Sequence, residues 1–397
     1  MKGAGMLRRY LMVLFVAVSM AGFLSSARAA DGAGAFGFDL YARHAADPGN
    51  VFFSPFSITT ALEMTYEGAR DITAEEMRSV LHLDADDSSR RDMLKSVISR
   101  MKSADKPYEL STANAIWVQK DYQILDDYLV LIRDVYDGEA RNVDFSSDSQ
   151  GARMTINSWV EERTRQRIRD FIPQSGISSR TRMVLTNAVY FKGKWEVPFD
   201  KPQTRPDDFR LASGEKVKAL MMRALRPALF MEDAEVKMVE LPYRGGDLVM
   251  RVILPKADIG INAAKLAGWV AQLRTWPLVD LALPKFTFEA FYSMNDDLVA
   301  LGMADAFSEE RADFSGMTGK KDLYIGNVFH KAWIEVTEEG TEAAAATAVQ
   351  MIAKGFDRPV VMPPRIFHAD HPFIFVIQEK ISGRILFMGR VADPTKG

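Results

Sequence analysis

The chain has no cysteine and only five histidines among 397 residues. The first absence excludes disulfides, thiolate metal ligands and cysteine nucleophiles. The second leaves little for imidazole chemistry. His44, His82, His330, His368 and His371 show no HExxH or HxH spacing, so no zinc or other metal site is expected. A G-x-S-x-G elbow and a phosphate-binding Gly-rich loop are also missing. Carboxylate pairs such as Glu161–Glu162 and Glu338–Glu339 are too common to indicate a glycosidase. An excess of positive charge is lacking too: 50 basic and 53 acidic side chains give a formal net charge of −3, without global attraction for nucleic acid. The expectation is a protein that is not an enzyme and uses no cofactor. Without low-complexity linkers or repeats, residues 30–397 are expected to form one domain.

The N-terminus stands apart from that domain. Lys2, Arg8 and Arg9 precede an apolar run from Tyr10 to Leu24, and Ala27-Arg28-Ala29 follows with small residues at the positions a signal peptidase reads. The run falls short of the roughly 20 apolar residues that span a bilayer. Residues 1–29 are therefore expected to be a cleaved secretory signal, with export to the periplasm or the medium and no membrane attachment afterwards. Cleavage removes four positive charges (Lys2, Arg8, Arg9, Arg28) and no acid, moving the formal charge from −3 to −7.

Along the remaining chain, apolar spacing of three and four predicts helices over Phe36–Ala46, Ser57–Glu67 and Thr155–Phe171. The last would carry Arg163, Arg165, Arg167 and Arg169 on a solvated face. Strands are expected later: Met183–Trp195, Leu248–Pro255, Leu281–Phe288, Leu323–Thr337, and a hairpin of Phe373–Ile377 with Ile385–Val391. Helices first and strands later indicate an α+β fold with large sheets. His330, inside the apolar FHKAWIEV, reads as a buried histidine satisfied by hydrogen bonds.

One segment fits none of these patterns. GTEAAAATAVQMIAKG, Gly340 to Gly355, has helical propensity but no apolar stripe to dock, and GFDRPVVMPPR after it cannot continue a helix. Its neighbours explain it. NVFFSPFSI, LTNAVYFKGKWEVPFD, LPYRGGDLVMRVILPK, ADFSG, LYIGNVFHKAWIEVTEEGTEAAAATAV, HADHPFIFVI and GRILFMGRVADP stand in one order from about Phe36 to Pro394. In this the chain resembles the serpin family of protease inhibitors.

The resemblance implies three β-sheets, eight or nine helices, a metastable native state and an exposed reactive-centre loop at about residues 338–370. It implies a suicide-substrate inhibitor. The target serine protease cleaves the loop, which then inserts into the central sheet and traps the acyl-enzyme. In the inserted strand Thr341, Ala343, Ala345, Thr347, Val349 and Met351 would share one uncharged face. Glu342, Ala344, Ala346, Ala348, Gln350 and Ile352 would share the other. The hinge would comprise Glu339, Gly340, Thr341, Glu342, Ala343, Ala344, Ala345, Ala346 and Thr347. Counting from Gly340 in the family's manner places the reactive bond at Lys354–Gly355, which suits a trypsin-like target. Met351, Ile352 and Arg358 are alternative scissile residues. The segment from Gly355 to His371 is longer than in many members and holds Pro359, Pro363 and Pro364.

Motif matches further imply a hydrogen-bonded shutter of Ser54, Ser57, Asn187 and His330. They imply a breach of Trp195, Lys285 and Glu338, with Lys285 and Glu338 as an ion pair. Arg90, Arg91, Lys95, Arg100, Lys102 and Lys106 lie where some members bind a polyanionic activator. Asp84, Asp86, Asp87, Asp92 and Asp105 interrupt them, so a solvated helix and loop is expected there. The resemblance also implies a monomer that forms loop-sheet polymers on heating. The competing reading is a non-inhibitory member, a binding or carrier protein cleaved only as a substrate.

Overall fold

The computed structural model describes residues 34–102, 105–341 and 363–396. Among these, nine α-helices are formed. They are α1 (34–44), α2 (Pro55–Gly68), α3 (Asp71–Val80), α4 (Asp87–Met101), α5 (Asp126–Tyr136), α6 (Ser149–Arg163), α7 (Ala263–Gln272), α8 (Asn295–Leu301) and α9 (Ser315–Thr318). The strands are β1 (Val51–Phe53), β2 (Tyr108–Gln119), β3 (Glu139–Val143), β4 (Met183–Lys194), β5 (Arg205–Arg210), β6 (Lys216–Glu232), β7 (Val236–Pro242) and β8 (Leu248–Pro255). They continue with β9 (Arg274–Pro284), β10 (Phe286–Ser293), β11 (Asn327–Thr337), β12 (Gly340–Thr341), β13 (Arg365–His368), β14 (Phe373–Glu379) and β15 (Ile385–Val391).

Hydrogen bonding joins the strands into two networks. One runs β10-β11-β12-β4-β2-β3; the other runs β1-β15-β14-β8-β7-β6-β9-β13, with β5 on β6. The expected three sheets are recovered inside these two. The 17-residue β6 pairs with β5 along its first part and with β7 along its last, and its register with β9 slips between Arg226 and Ala228. That strand therefore makes two sheets continuous.

Helix α2 is buried along its whole length between the two networks. Ser54 caps it, its Oγ accepting from Ser57 N at 3.1 Å, and Pro55 starts the first turn. Glu63 and Glu67 of α2 need a buried cation, which α4 supplies through Arg90.

Three expectations are corrected. The helix expected to reach Phe171 ends at Arg163, because Arg165 and Gln166 take positive φ (52° and 64°) and turn the chain. The strand expected over Leu281–Phe288 is the end of β9 and the start of β10, broken at Lys285, whose N–H donates to Leu220 O at 2.8 Å. The first third is less helical than its pattern suggests, since it contains β2, a central strand. Residues 113–119 of β2 are all buried, and such a run lacks the alternation that identifies a strand.

Candidate functional site

The candidate site lies where β4 and β11 part. The two strands pair in parallel from Val184–Asn327 to Tyr190–Trp333. Beyond Trp333 they separate, and β12 fills the gap, with Thr341 opposite Val336 of β11 and Gly193 of β4, and Gly340 opposite Thr337 and Lys194. Gly340 and Thr341 of the expected loop are thus already strand, and Arg365–His368 are strand β13 on the edge beside β9. The expected bounds of about 338–370 contract at both ends, because backbone pairing is available there. Glu342, Ala343, Ala344, Ala345, Ala346 and Thr347 of the hinge lie outside the described residues. So do the reactive-bond residues Lys354 and Gly355 and the alternatives Met351, Ile352 and Arg358.

Gly340 is required where it stands. Its φ is +145°, and a Cβ there would meet Gly193 O at 2.1 Å and the Lys194 Cα at 2.6 Å. Thr341 is fully buried, its Oγ1 2.8 Å from Tyr243 Oη. Tyr243 in turn stacks on Trp195, ring centroids 4.6 Å apart. Burial pushes the Tyr243 phenol up, so it remains a neutral hydroxyl.

The breach residues converge on this gap. Trp195 Nε1 donates to Thr337 O at 3.0 Å, and Lys285 Nζ lies 2.9 Å from Glu338 Oε2. Burial raises the Glu338 pKa, but the Lys285 hydrogen bond and other donors outweigh it and hold the carboxyl below its ordinary range. Glu339, also buried, pairs with Lys201 at 2.5 Å, and its carbonyl accepts from Trp195 N at 2.9 Å. Tyr243 and Lys201 were not found by sequence reasoning. Tyr243 lies inside the stretch LPYRGGDLVMRVILPK, which assigned it no role, and Lys201 carries no motif signal.

The shutter lies lower on the same strands. Sheet register sets Asn114 of β2 opposite Asn187 of β4, and Asn187 opposite His330 of β11. Three central strands therefore place three polar side chains in one row. Ser54 N–H donates to His330 Nε2 at 3.2 Å, so the ring proton sits on Nδ1 and is donated to Asn187 Oδ1. Asn187 Nδ2 donates to Ser57 Oγ and to Asn114 Oδ1, while Ser54 Oγ–H donates to Leu386 O at 2.6 Å. Burial pushes the His330 pKa down to about 3. Asn114 was missed by sequence reasoning; an asparagine flanked by Ala113 and Ala115 inside an apolar run is the signal that could have found it.

The basic stretch around α4 departs from expectation. Arg90 is buried, donating to Glu63 (2.9 Å), Tyr136 (2.8 Å) and Glu67 (2.8 Å), and Arg91 pairs with Glu67. Lys102 pairs with Asp137 and Lys106 with Asp247. Of the six basic residues Arg90 alone is buried, because α2 carries two carboxylates into the core, while Lys95 and Lys102 stay exposed.

The chain matches the family model for Serpin (serine protease inhibitor) over residues 31–394. It is 43% identical over 370 residues to an uncharacterised serpin-like protein of Thermococcus kodakarensis, covering 91% of this chain and 85% of that protein. Bovine leukocyte elastase inhibitor is 38% identical, over 87% of this chain and 93% of the inhibitor. The crystal structure of human thyroxine-binding globulin superposes with a TM-score of 0.83 at 29% identity, over 93% of this chain and 99% of the globulin. The sheet network, the buried polar row and these likenesses agree: the chain belongs to the serpin family, a family of serine protease inhibitors rather than enzymes that also has non-inhibitory members.

Proposed function

We propose that the protein is a suicide-substrate inhibitor of a trypsin-like serine protease, exported after removal of residues 1–29. The observation that supports this best is β12. The six-stranded sheet has a gap between β4 and β11, and the start of the loop occupies its upper end. Inserted Thr341 points inward and is buried. Strand alternation then assigns Ala343, Ala345, Thr347, Val349 and Met351 to the buried face, none of them charged. Cleavage at Lys354–Gly355 releases the strand, which continues from β12 down the gap as β4 and β11 unpair. The sheet gains a strand, and the acyl-linked protease is carried with it.

The test is incubation with trypsin. A complex that survives denaturant and heat, together with release of the peptide beginning at Gly355, is the expected result. Clean cleavage with undiminished trypsin activity would overturn the proposal in favour of a carrier, the role that thyroxine-binding globulin illustrates within the same fold. A complex formed only with elastase- or subtilisin-like enzymes would keep the mechanism and move the reactive bond to Met351 or Ile352.

A further inference from the structure

The segment that follows α6 crosses the outer face of the six-stranded sheet. Arg165 pairs with Glu109 of β2 at 2.7 Å. The Phe171 ring meets Phe329 of β11 and Phe291 of β10 edge-on, at 6.4 and 6.5 Å between centroids. Between these two anchors stands Arg167, which the sequence pattern placed on a solvated helix face. Its guanidinium carbon lies 5.9 Å from the Tyr190 ring centroid and 5.7 Å from that of Trp333. The group also donates a hydrogen bond to the Tyr190 hydroxyl. The two rings are themselves 5.7 Å apart, tilted by 41°.

Tyr190 belongs to β4 and Trp333 to β11, and they form the last direct pair before the two strands part. One side chain therefore caps both banks of the fork. A planar guanidinium suits this double contact, because it is attracted to aromatic faces and can meet two rings at once. Extending β12 breaks the arrangement. Its register with both neighbours, continued by three residues, puts Ala344 directly between Tyr190 and Trp333. The Ala344 side chain would fall on the same outer face. The strands of the pair would then stand about 9.6 Å apart instead of about 4.8 Å, and the guanidinium would lose its seat on the two adjoining rings.

We propose that Arg167 is a positioning residue for the trapping step: it clips β4 to β11 at the fork, holds β12 at two residues in the uncleaved protein, and sets the rate at which the cleaved loop enters the sheet. This rests on the insertion mechanism proposed above. The clip balances two losses. Entry before cleavage wastes the inhibitor, and slow entry after cleavage lets the acyl-enzyme hydrolyse.

The test compares the parent with Arg167→Ala and with Arg169→Ala, whose guanidinium turns back to Glu161 of α6 at 3.2 Å. Arg167 is exposed, so its loss leaves the core intact. A synthetic peptide with the sequence of residues 342–352 is annealed to each intact protein, and its entry is followed by the gain in thermal resistance. Arg167→Ala should take up the peptide about fivefold faster than the parent, and Arg169→Ala at the parent rate. Melting of uncleaved and loop-cleaved protein separates the clip from a merely structural role. Uncleaved Arg167→Ala should melt below the uncleaved parent, whereas the two cleaved forms should melt together, because the clip exists only before insertion. Equal uptake rates for Arg167→Ala and the parent, or equal lowering of both melting temperatures, would overturn the clip and leave the insertion mechanism standing. A parent that neither takes up the peptide nor gains thermal resistance on cleavage would overturn the insertion mechanism and the clip with it.

Discussion

Two residues carry sharply defined physical demands. Gly340 has backbone atoms of β4 where a Cβ would stand, at a φ that side chains avoid. Gly340→Ala should cost about 1–3 kcal/mol from the backbone alone and should expel β12. Hydrogen exchange at Thr341 checks this: protection equal to that of the parent would contradict the assignment. His330 gives a pH dependence of definite sign. Its folded pKa, about 3, lies below the ordinary histidine value of 6.5. The unfolded chain therefore binds the proton more readily between those values. The stabilisation is complete above about pH 6.5 and falls as pH drops toward 3, by at most about 1.4 kcal/mol per pH unit. Chemical denaturation between pH 7 and 4 should show this slope, and His330→Gln should flatten it. A slope that survives the substitution assigns the effect to other groups. His330 was legible as a buried, hydrogen-bonded residue from the apolar strand around it. Its partner Asn114 was not, because which strands lie side by side is a property of the sheet.

At the scale of the element, β12 is two residues long and sits between strands that otherwise pair with each other. It exists because Gly340 permits close approach and because Tyr243 accepts the Thr341 hydroxyl into a buried site. Thr341→Arg should abolish it. An arginine there would be an unpaired charge at a fully buried position, costing about 3–5 kcal/mol, and insertion after cleavage would be opposed. With trypsin this variant should turn over as a substrate, with little denaturant-resistant complex and a raised ratio of inhibitor consumed per protease trapped. Full trapping by the variant would show that the inward face is not selected by charge. The helical elements illustrate the opposite limit of sequence reading. The pattern of α6 continued to Phe171, yet two residues at positive φ stopped the helix eight residues earlier, and no periodicity encodes that turn.

For the whole molecule, β4 and β11 pair directly from Val184–Asn327 to Tyr190–Trp333 and part beyond, where the two-residue β12 stands between them. On the proposed function, a strand continuing from β12 adds backbone hydrogen bonds and buries further surface, so the uncleaved form is held by a barrier rather than by being most stable. Limited proteolysis in the loop should raise the melting temperature markedly, read by calorimetry on intact and cleaved protein. Coincident melting curves would argue against insertion. The buried Arg90–Glu63–Glu67–Tyr136 cluster belongs to this scale too. Arg90 and Arg91 looked like surface charge because acids alternate with them in sequence, whereas their partners come from a helix 23 to 27 residues earlier and from Tyr136 of α5.

The sequence by itself determined the family, the order of the strands and helices that bear its motifs, the uncharged face of the loop and the glycine at its hinge. These are local or pairwise-spaced properties, carried by residue type and by strand or helix period. Tertiary structure alone decided that Gly340 and Thr341 form strand β12, that Asn114 and Tyr243 complete the polar row and the gap, and that Arg90 is buried. Each depends on register between segments distant in the chain, and register is fixed only when whole sheets and the helix between them pack together.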